Sequence, residues 1–133
     1  MTRKGINAER QLVNLFWQSG DFAAIRIPAS GAGFKNYPKP DIIAGNGKKY
    51  YAFEVKTTTS DKIYVPSDEI KDLISFSQKF GCSPYLAVKF TKMSREWHFY
   101  NISDLQQTIG GNYKIDFNED LSKGLNFSSI IES

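Results

Sequence analysis

"YPKPDIIAGNGKKYYAFEVK", residues 37–56, decides how this chain folds. A proline-rich bend leads into "DIIAG", the chain turns at Asn46-Gly47, and it returns as "KKYYAFEVK". Asn-Gly between two apolar runs is the strongest short-range signal of a β-hairpin. Two acids and a lysine, Asp41, Glu54 and Lys56, stand among residues that otherwise read as buried strand. A carboxylate inside a sheet is costly unless something positive pairs with it, so these charges need a reason beyond the fold.

With Asn46 and Gly47 as the two central turn residues, Gly45 faces Lys48 and Asp41 stands opposite Ala52. Opposed residues of an antiparallel pair project to one face, as do residues two apart on a strand. Asp41, Ala52, Glu54 and Lys56 therefore share a face, while Phe53 and Val55 point into a core on the other. Asp41 and Glu54 become diagonal neighbours, their backbones about 7–8 Å apart. Carboxylates that close repel unless a cation lies between them. Magnesium takes oxygen ligands and usually keeps several waters, which suits an acid pair with open positions. One pleat along, the Lys56 ammonium can hold a water or stabilise charge developing on a phosphate. The plainer alternative is a surface Asp–Lys–Glu cluster, since short matches of this kind are common. Pro40 before Asp41, the shared face and the flanking apolar residues weigh against it.

Around the hairpin, residues 5–19 read as an amphipathic helix ended by Gly20, with Ile6, Val13 and Phe16 on one face and Leu12 and Trp17 beside it. Glu9 falls on that apolar face, an odd place for an acid. Residues 22–27 read as a strand, and residues 28–40 as a loop dense in glycine, proline and lysine. A short strand, Lys62–Val65, precedes a helix over Ser67–Phe80, with Asp68 and Glu69 in its first turn and Gly81 past its end. "PYLAVKF" and "EWHFYN" form a second strand pair, and Ser103 caps a short helix over "SDLQQTI". Residues 110–133 are poorly periodic and read as an irregular tail of a single 1–133 domain. Few helices among many strands give an α+β fold, a mixed sheet flanked by helices.

The 133 residues suffice for one real core, and 41% hydrophobic against 23% charged is the balance of a globular protein. No apolar run reaches the roughly 20 residues of a membrane-spanning helix. The first residues carry no hydrophobic signal segment, so the expectation is an intracellular, cytoplasmic protein of prokaryotic type with no membrane partner. One cysteine and one histidine, Cys82 and His98, exclude a His/Cys zinc site, leaving an oxygen-held ion such as magnesium or manganese. The formal charge is only +3, but Arg3, Lys4, Arg10, Arg26, Lys35 and Lys39 crowd the first forty residues against Glu9 and Asp21 alone. A phosphate backbone is a natural partner for that half.

Pro40-Asp41 followed by Glu54-Val55-Lys56 resembles the PD-(D/E)xK nuclease motif. More narrowly, "RKGINAER", "RIPASG", "PDIIAGNGKKY", "IYV" and "LAVKF" resemble the archaeal Holliday-junction resolvases, in that family's order, over about residues 3–90. The resemblance implies a restriction-endonuclease-like core and a homodimer that nicks two strands of four-way junction DNA symmetrically with magnesium, for which manganese can substitute. It implies Glu9, Asp41 and Glu54 as metal ligands, Lys56 as the stabilising base and Ser30 as a loop serine near the scissile phosphate. Arg3, Lys4, Arg10, Arg26, Lys35, Lys39 and Lys89 are the candidates for touching DNA. Plainer roles stand beside these: Glu9 snorkelling out or pairing with Lys4 or Arg10, Ser30 as turn chemistry, and the arginines as solvated charges.

The apolar residues of Ser67–Phe80 spread over nearly half the helical circumference, wider than one core-facing stripe requires. One flank can face the sheet and the other a second subunit through Phe76 and Phe80, or the whole helix can be core. Two other functions compete with junction resolution: a PD-(D/E)xK nuclease acting on another DNA substrate, and a non-catalytic junction-binding protein.

Overall fold

The computed structural model describes residues 3–28 and 37–133. Helix α1, Arg3–Gln18, leads into strand β1, Ala23–Arg26; the hairpin strands are β2, Ile42–Gly45, and β3, Tyr50–Thr58. Strand β4, Lys62–Val65, and helix α2, Ser67–Phe80, follow, then β5, Ser83–Phe90, and β6, His98–Asn101. The main sheet has the order β1-β2-β3-β5-β6. Only β3 and β5 run parallel, as strands joined through a crossover helix do, here α2. The expected α+β architecture, a mixed sheet flanked by helices, is the one observed.

Alternation along β3 divides the molecule. Tyr51, Phe53 and Val55 pack with Leu12 and Phe16 of α1 in one core. Ala52 packs with Ile70 and Leu73 of α2 in a second core on the opposite face. Along α1 the buried stripe is Ala8, Leu12 and Phe16, with Glu9 beside it at 1% exposure. Trp17 stays mostly outside, its indole Nε1 donating to the Ala24 carbonyl of edge strand β1 at 2.8 Å. Helix α2 stops where Gly81 takes a left-handed φ of 89° and donates its amide to Ser77.

The hairpin register differs from the expected one. Ile42 pairs with Phe53 and Gly45 with Tyr50, so Asp41 continues the ladder directly opposite Glu54 instead of Ala52. The turn spans four residues because the Asn46 side chain rebuilds it: Asn46 Oδ1 accepts the amides of Lys48 at 2.9 Å and Lys49 at 2.7 Å. Gly47 still supplies the positive φ, 88°. The slip is two residues, so every side chain keeps its face.

The region after residue 100 departs most from the sequence reading. "SDLQQTI" is no α-helix: a single 3-10 turn, Ile102–Asp104, is capped by Asn101, not Ser103. Gln106–Gln107 then forms strand β7. Nor is the tail irregular. Strand β8, Tyr113–Asp116, joins β4 and β7 in a small sheet of order β4-β8-β7. Helix α3, Phe127–Glu132, is capped by Asn126 and buries Ile130 completely in the α1-side core. The ring of Phe127 lies 5.0 Å from that of Phe16. These elements are short and are fixed by long-range contact, so they carry little periodicity of their own.

Ile130→Ala should therefore cost about 2–5 kcal/mol of stability, the penalty for a cavity in a closed core. Urea denaturation measures it, and a loss below about 1 kcal/mol would mean that α3 docks loosely.

Candidate active site

Asp41 sits where three strands meet. Its amide donates to the Phe53 carbonyl at 2.9 Å and its carbonyl accepts from the Ile27 amide at 2.8 Å. Its carboxylate Oδ2 accepts the Val55 amide at 2.8 Å. Backbone on both sides thus fixes the acid, and Pro40, itself buried, feeds the chain into it.

Glu54 faces Asp41 across the hairpin. Burial, then a side-chain hydrogen bond to Asp41 and the negative charge of Asp41, drive its pKa far up to about 10, against the opposing pull of Lys56. Without a cation, the Glu54 carboxyl is thus driven towards its neutral form, in which it can donate a hydrogen bond to Asp41. Lys56, next along the same face, is half-buried. Burial opposes its charge, but the hydrogen bond it donates to Glu69 and the negative charges of Glu54, Glu69 and Asp41 outweigh it and raise its pKa. Its Nζ donates to Glu69 Oε1 at 2.6 Å. At neutral pH Lys56 is therefore an ammonium.

Glu9 reaches this neighbourhood from α1. Burial, then the charge of Asp41, push its pKa to about 7, while Arg26 pulls it down. Arg26 Nε lies 3.7 Å from Glu9 Oε1, too long for a hydrogen bond, and that oxygen has no hydrogen-bond partner among the described residues. Four of the expected site residues thus act on one another electrostatically: Glu9, Asp41, Glu54 and Lys56. Among the described residues no three acids converge as a ready-made set of metal ligands. Asp41 is held by the Val55 amide, and Glu9 is turned towards Arg26.

The remaining candidates are placed unevenly. Arg3 and Arg10 are exposed on α1, and Arg26 is half-buried against Glu9. Lys89 donates to Gln11 Oε1 at 2.7 Å and lies over the Trp97 ring, 5.4 Å from its centroid. Lys39 is half-buried beside Pro40. Ser30 and Lys35 lie outside the described residues, as does the side chain of Lys4. On α2, Phe76 stacks on Phe80 with ring centroids 5.1 Å apart, and Phe80 remains 57% exposed. Phe80 borders an apolar groove of about 350 Å³ shared with Ile25, Ile43 and Tyr50.

Sequence reasoning missed two contacts here. Arg26 faces Glu9 as an ion pair, a neighbour that neither the metal-ligand reading nor the plainer pairing with Lys4 or Arg10 names. Glu69, read only as a helix-dipole residue, grips Lys56.

Comparison with known proteins bears on this geometry. The family model described as archaeal Holliday junction resolvase (Hjc) matches residues 1–133. The chain belongs to this family. A crossover junction endodeoxyribonuclease Hjc from Archaeoglobus fulgidus is 40% identical over 116 residues, 87% of this chain and 81% of that protein. The protein of the same name from Methanocaldococcus jannaschii is 43% identical over 114 residues, 86% of this chain and 77% of that one. The crystal structure of A. fulgidus Hjc, a Holliday junction resolvase, superposes with a TM-score of 0.82 at 36% identity, covering 95% of this chain and 98% of that one. The resolvase-family match thus extends through the C-terminal sheet and helix, beyond the motifs at residues 3–90.

The Glu9 shift gives a pH dependence. Its folded pKa of about 7 lies above the ordinary 4.5, so the folded state holds this proton more tightly. The resulting stability is fully present below pH 4.5 and is lost as pH rises through about 7, by up to about 3 kcal/mol. Metal-free protein should melt at a lower temperature at pH 7.5 than at pH 5. Glu54, whose pKa is also raised, adds to the same fall, so Glu9→Gln should lessen the fall without abolishing it, and an unchanged slope would count against Glu9 as a source.

Proposed function

We propose that this chain is a metal-dependent endonuclease that resolves four-way DNA junctions by hydrolysing one phosphodiester on each of two strands. The opposed Asp41–Glu54 pair with a charged lysine on the same sheet face carries the reading. Its relatives of 40% and 43% identity are named for the same reaction.

The cation would be magnesium, with manganese able to replace it. The chemistry of the donors supports this: Glu9, Asp41 and Glu54 offer only hard oxygens. So does their unsatisfied charge. Glu9 keeps a buried oxygen with no hydrogen-bond partner among the described residues, and Glu54 is forced towards its neutral form. A divalent ion would relieve both, once Glu9 turns from Arg26. When bound, it supplies Lewis acidity to the phosphate and makes a nearby water more acidic.

The chain's own residues do the rest. Asp41, tied to three strands, fixes the place of reaction. Glu54, driven towards its neutral form beside Asp41, would ionise to ligate a cation. Lys56 stays protonated at Nζ and stabilises the charge that builds on the phosphate as a water attacks phosphorus; the P–O3′ bond breaks and the 3′ oxygen takes up a proton in exchange for the one the water releases, leaving a 5′-phosphate and a 3′-hydroxyl. Arg3, Arg10 and Lys89 would bind DNA backbone, which makes affinity fall with salt and insensitive to sequence.

A four-way junction has twofold symmetry, and paired incision asks for two identical sites at a fixed separation. A homodimer built on Phe76, Phe80 and the adjoining groove would supply them. Ile25, Tyr50 and Phe80, 55%, 46% and 57% exposed, make a patch of the kind that marks an interface.

Two experiments test this. Asp41→Asn keeps an acceptor for the Val55 amide, so it should fold and bind a four-way junction while cleavage in magnesium falls on the order of a hundredfold or more. Gel assays on labelled junction and matched duplex measure it, and cleavage near the wild-type rate removes Asp41 from the reaction. Phe80→Glu should give a monomer in sedimentation with loss of paired incision; an unchanged dimer places the interface elsewhere.

A further inference from the structure

Glu69 has no part in the reaction described above, yet it makes the shortest contact to the lysine of that site. It stands at the third position of α2, three residues after Pro66. A glutamate there ordinarily reaches back to the amide of the residue that caps the helix. Pro66 occupies the cap position and, being proline, has no N–H to offer. The carboxylate is thereby released from helix capping and turns to the sheet, where Oε1 accepts from Lys56 Nζ at 2.6 Å.

The position of Lys56 makes this more than a surface ion pair, which would contribute little. Lys56 is 24% exposed and lies beside Glu54 on the face that Asp41 shares. Its ammonium rides on four flexible carbons between acids on two sides. With nothing on the α2 side, it would fold onto the Asp41–Glu54 pair and neutralise it. A carboxylate on the first turn of a rigid helix pulls it the other way. The same helix turn is anchored by Ile70, fully buried in the α2-side core, so the acceptor is fixed.

We propose that Glu69 is a positioning residue, holding the Lys56 ammonium towards α2 and off the Asp41–Glu54 pair, so that acids and ammonium remain separately available. This rests on the reading of the site given under Proposed function.

The test is a double-mutant cycle of Glu69→Ala and Lys56→Ala, with Glu69→Gln as a variant of unchanged shape. Cleavage of a four-way junction is followed under single-turnover conditions. Two further readouts do not depend on cleavage: junction affinity without divalent metal, and the rise in melting temperature on adding magnesium. Glu69→Ala should slow cleavage about 10- to 100-fold, the usual cost of losing a partner that orients a site group. It should also diminish the magnesium-induced rise and leave junction affinity unchanged, with Glu69→Gln falling between it and wild type. In the Lys56→Ala background, Glu69→Ala should change neither rate nor melting. Cleavage by both Glu69 variants within about twofold of wild type overturns the proposal, as does the same slowing in the Lys56→Ala background. Wild-type cleavage by Lys56→Ala itself sinks the reading of the site, and the role of Glu69 with it.

Discussion

Two carboxylates facing each other across a β-hairpin set the terms for the rest of this molecule. Unit charges about 4 Å apart repel by roughly 4 kcal/mol even at an effective dielectric of about 20. Folding alone gives no reason to place Asp41 opposite Glu54, and an apolar pair would make a steadier sheet. The surroundings answer that repulsion without removing it. The Val55 amide bonds Asp41 Oδ2, Glu54 is driven towards its neutral form, and Lys56 stands next along the same face. Each measure is partial, and what they leave unmet is a demand for positive charge. Sites that do chemistry are where such unmet demands are kept.

The sheet can bear this arrangement because its two faces are otherwise closed. On one side Phe16, Phe53 and Phe99 pack with Ile130 of the last helix; on the other Ile70, Leu73, Leu86 and Ile115 join α2 to the small sheet. Alternation along β3 places apolar rings towards α1 and acid and ammonium towards α2, so the charged residues are delivered by the same register that builds the cores. Glu9 is the exception. It belongs to the α1 side, and its coupling to Asp41 comes from lying on the buried stripe of α1, near the end of β1 where Arg26 also reaches.

How much of this the sequence discloses follows from the range of each interaction. Face-sharing of Asp41, Glu54 and Lys56 is legible because strand period is local, and it survives even though the turn was read two residues too short. The turn itself was not legible, because the length of the loop depends on which amides the Asn46 side chain captures. Helix α2 is announced by its apolar spacing and by Gly81. The strands and helix after residue 105 are not, since Gln106–Gln107 and Tyr113–Asp116 are strands only by virtue of partners far away in sequence. Glu9 could be noticed as misplaced on an apolar stripe, but nothing nearby named Arg26 as its neighbour. Glu69 looked ordinary for a first helical turn. The missing amide of Pro66 was the one local hint that its carboxylate had work elsewhere.

Helix α2 brings these strands of reasoning together. Its first turn holds Glu69 against Lys56, its middle buries Ile70 and Leu73, and its last turns stack Phe76, partly buried against that core, on the exposed ring of Phe80. From Glu69 to Phe80 is eleven residues, about 16 Å at 1.5 Å per residue, through an element packed too tightly to bend freely. The side chain that contacts the lysine and the stacked rings, of which Phe80 borders the open groove, therefore move as one body. A second subunit seated on those rings would fix the axis of α2, and with it the place from which Glu69 draws on the ammonium. Under the proposed paired incision, a single helix spanning from subunit contact to reacting centre would make the geometry of one depend on the presence of the other.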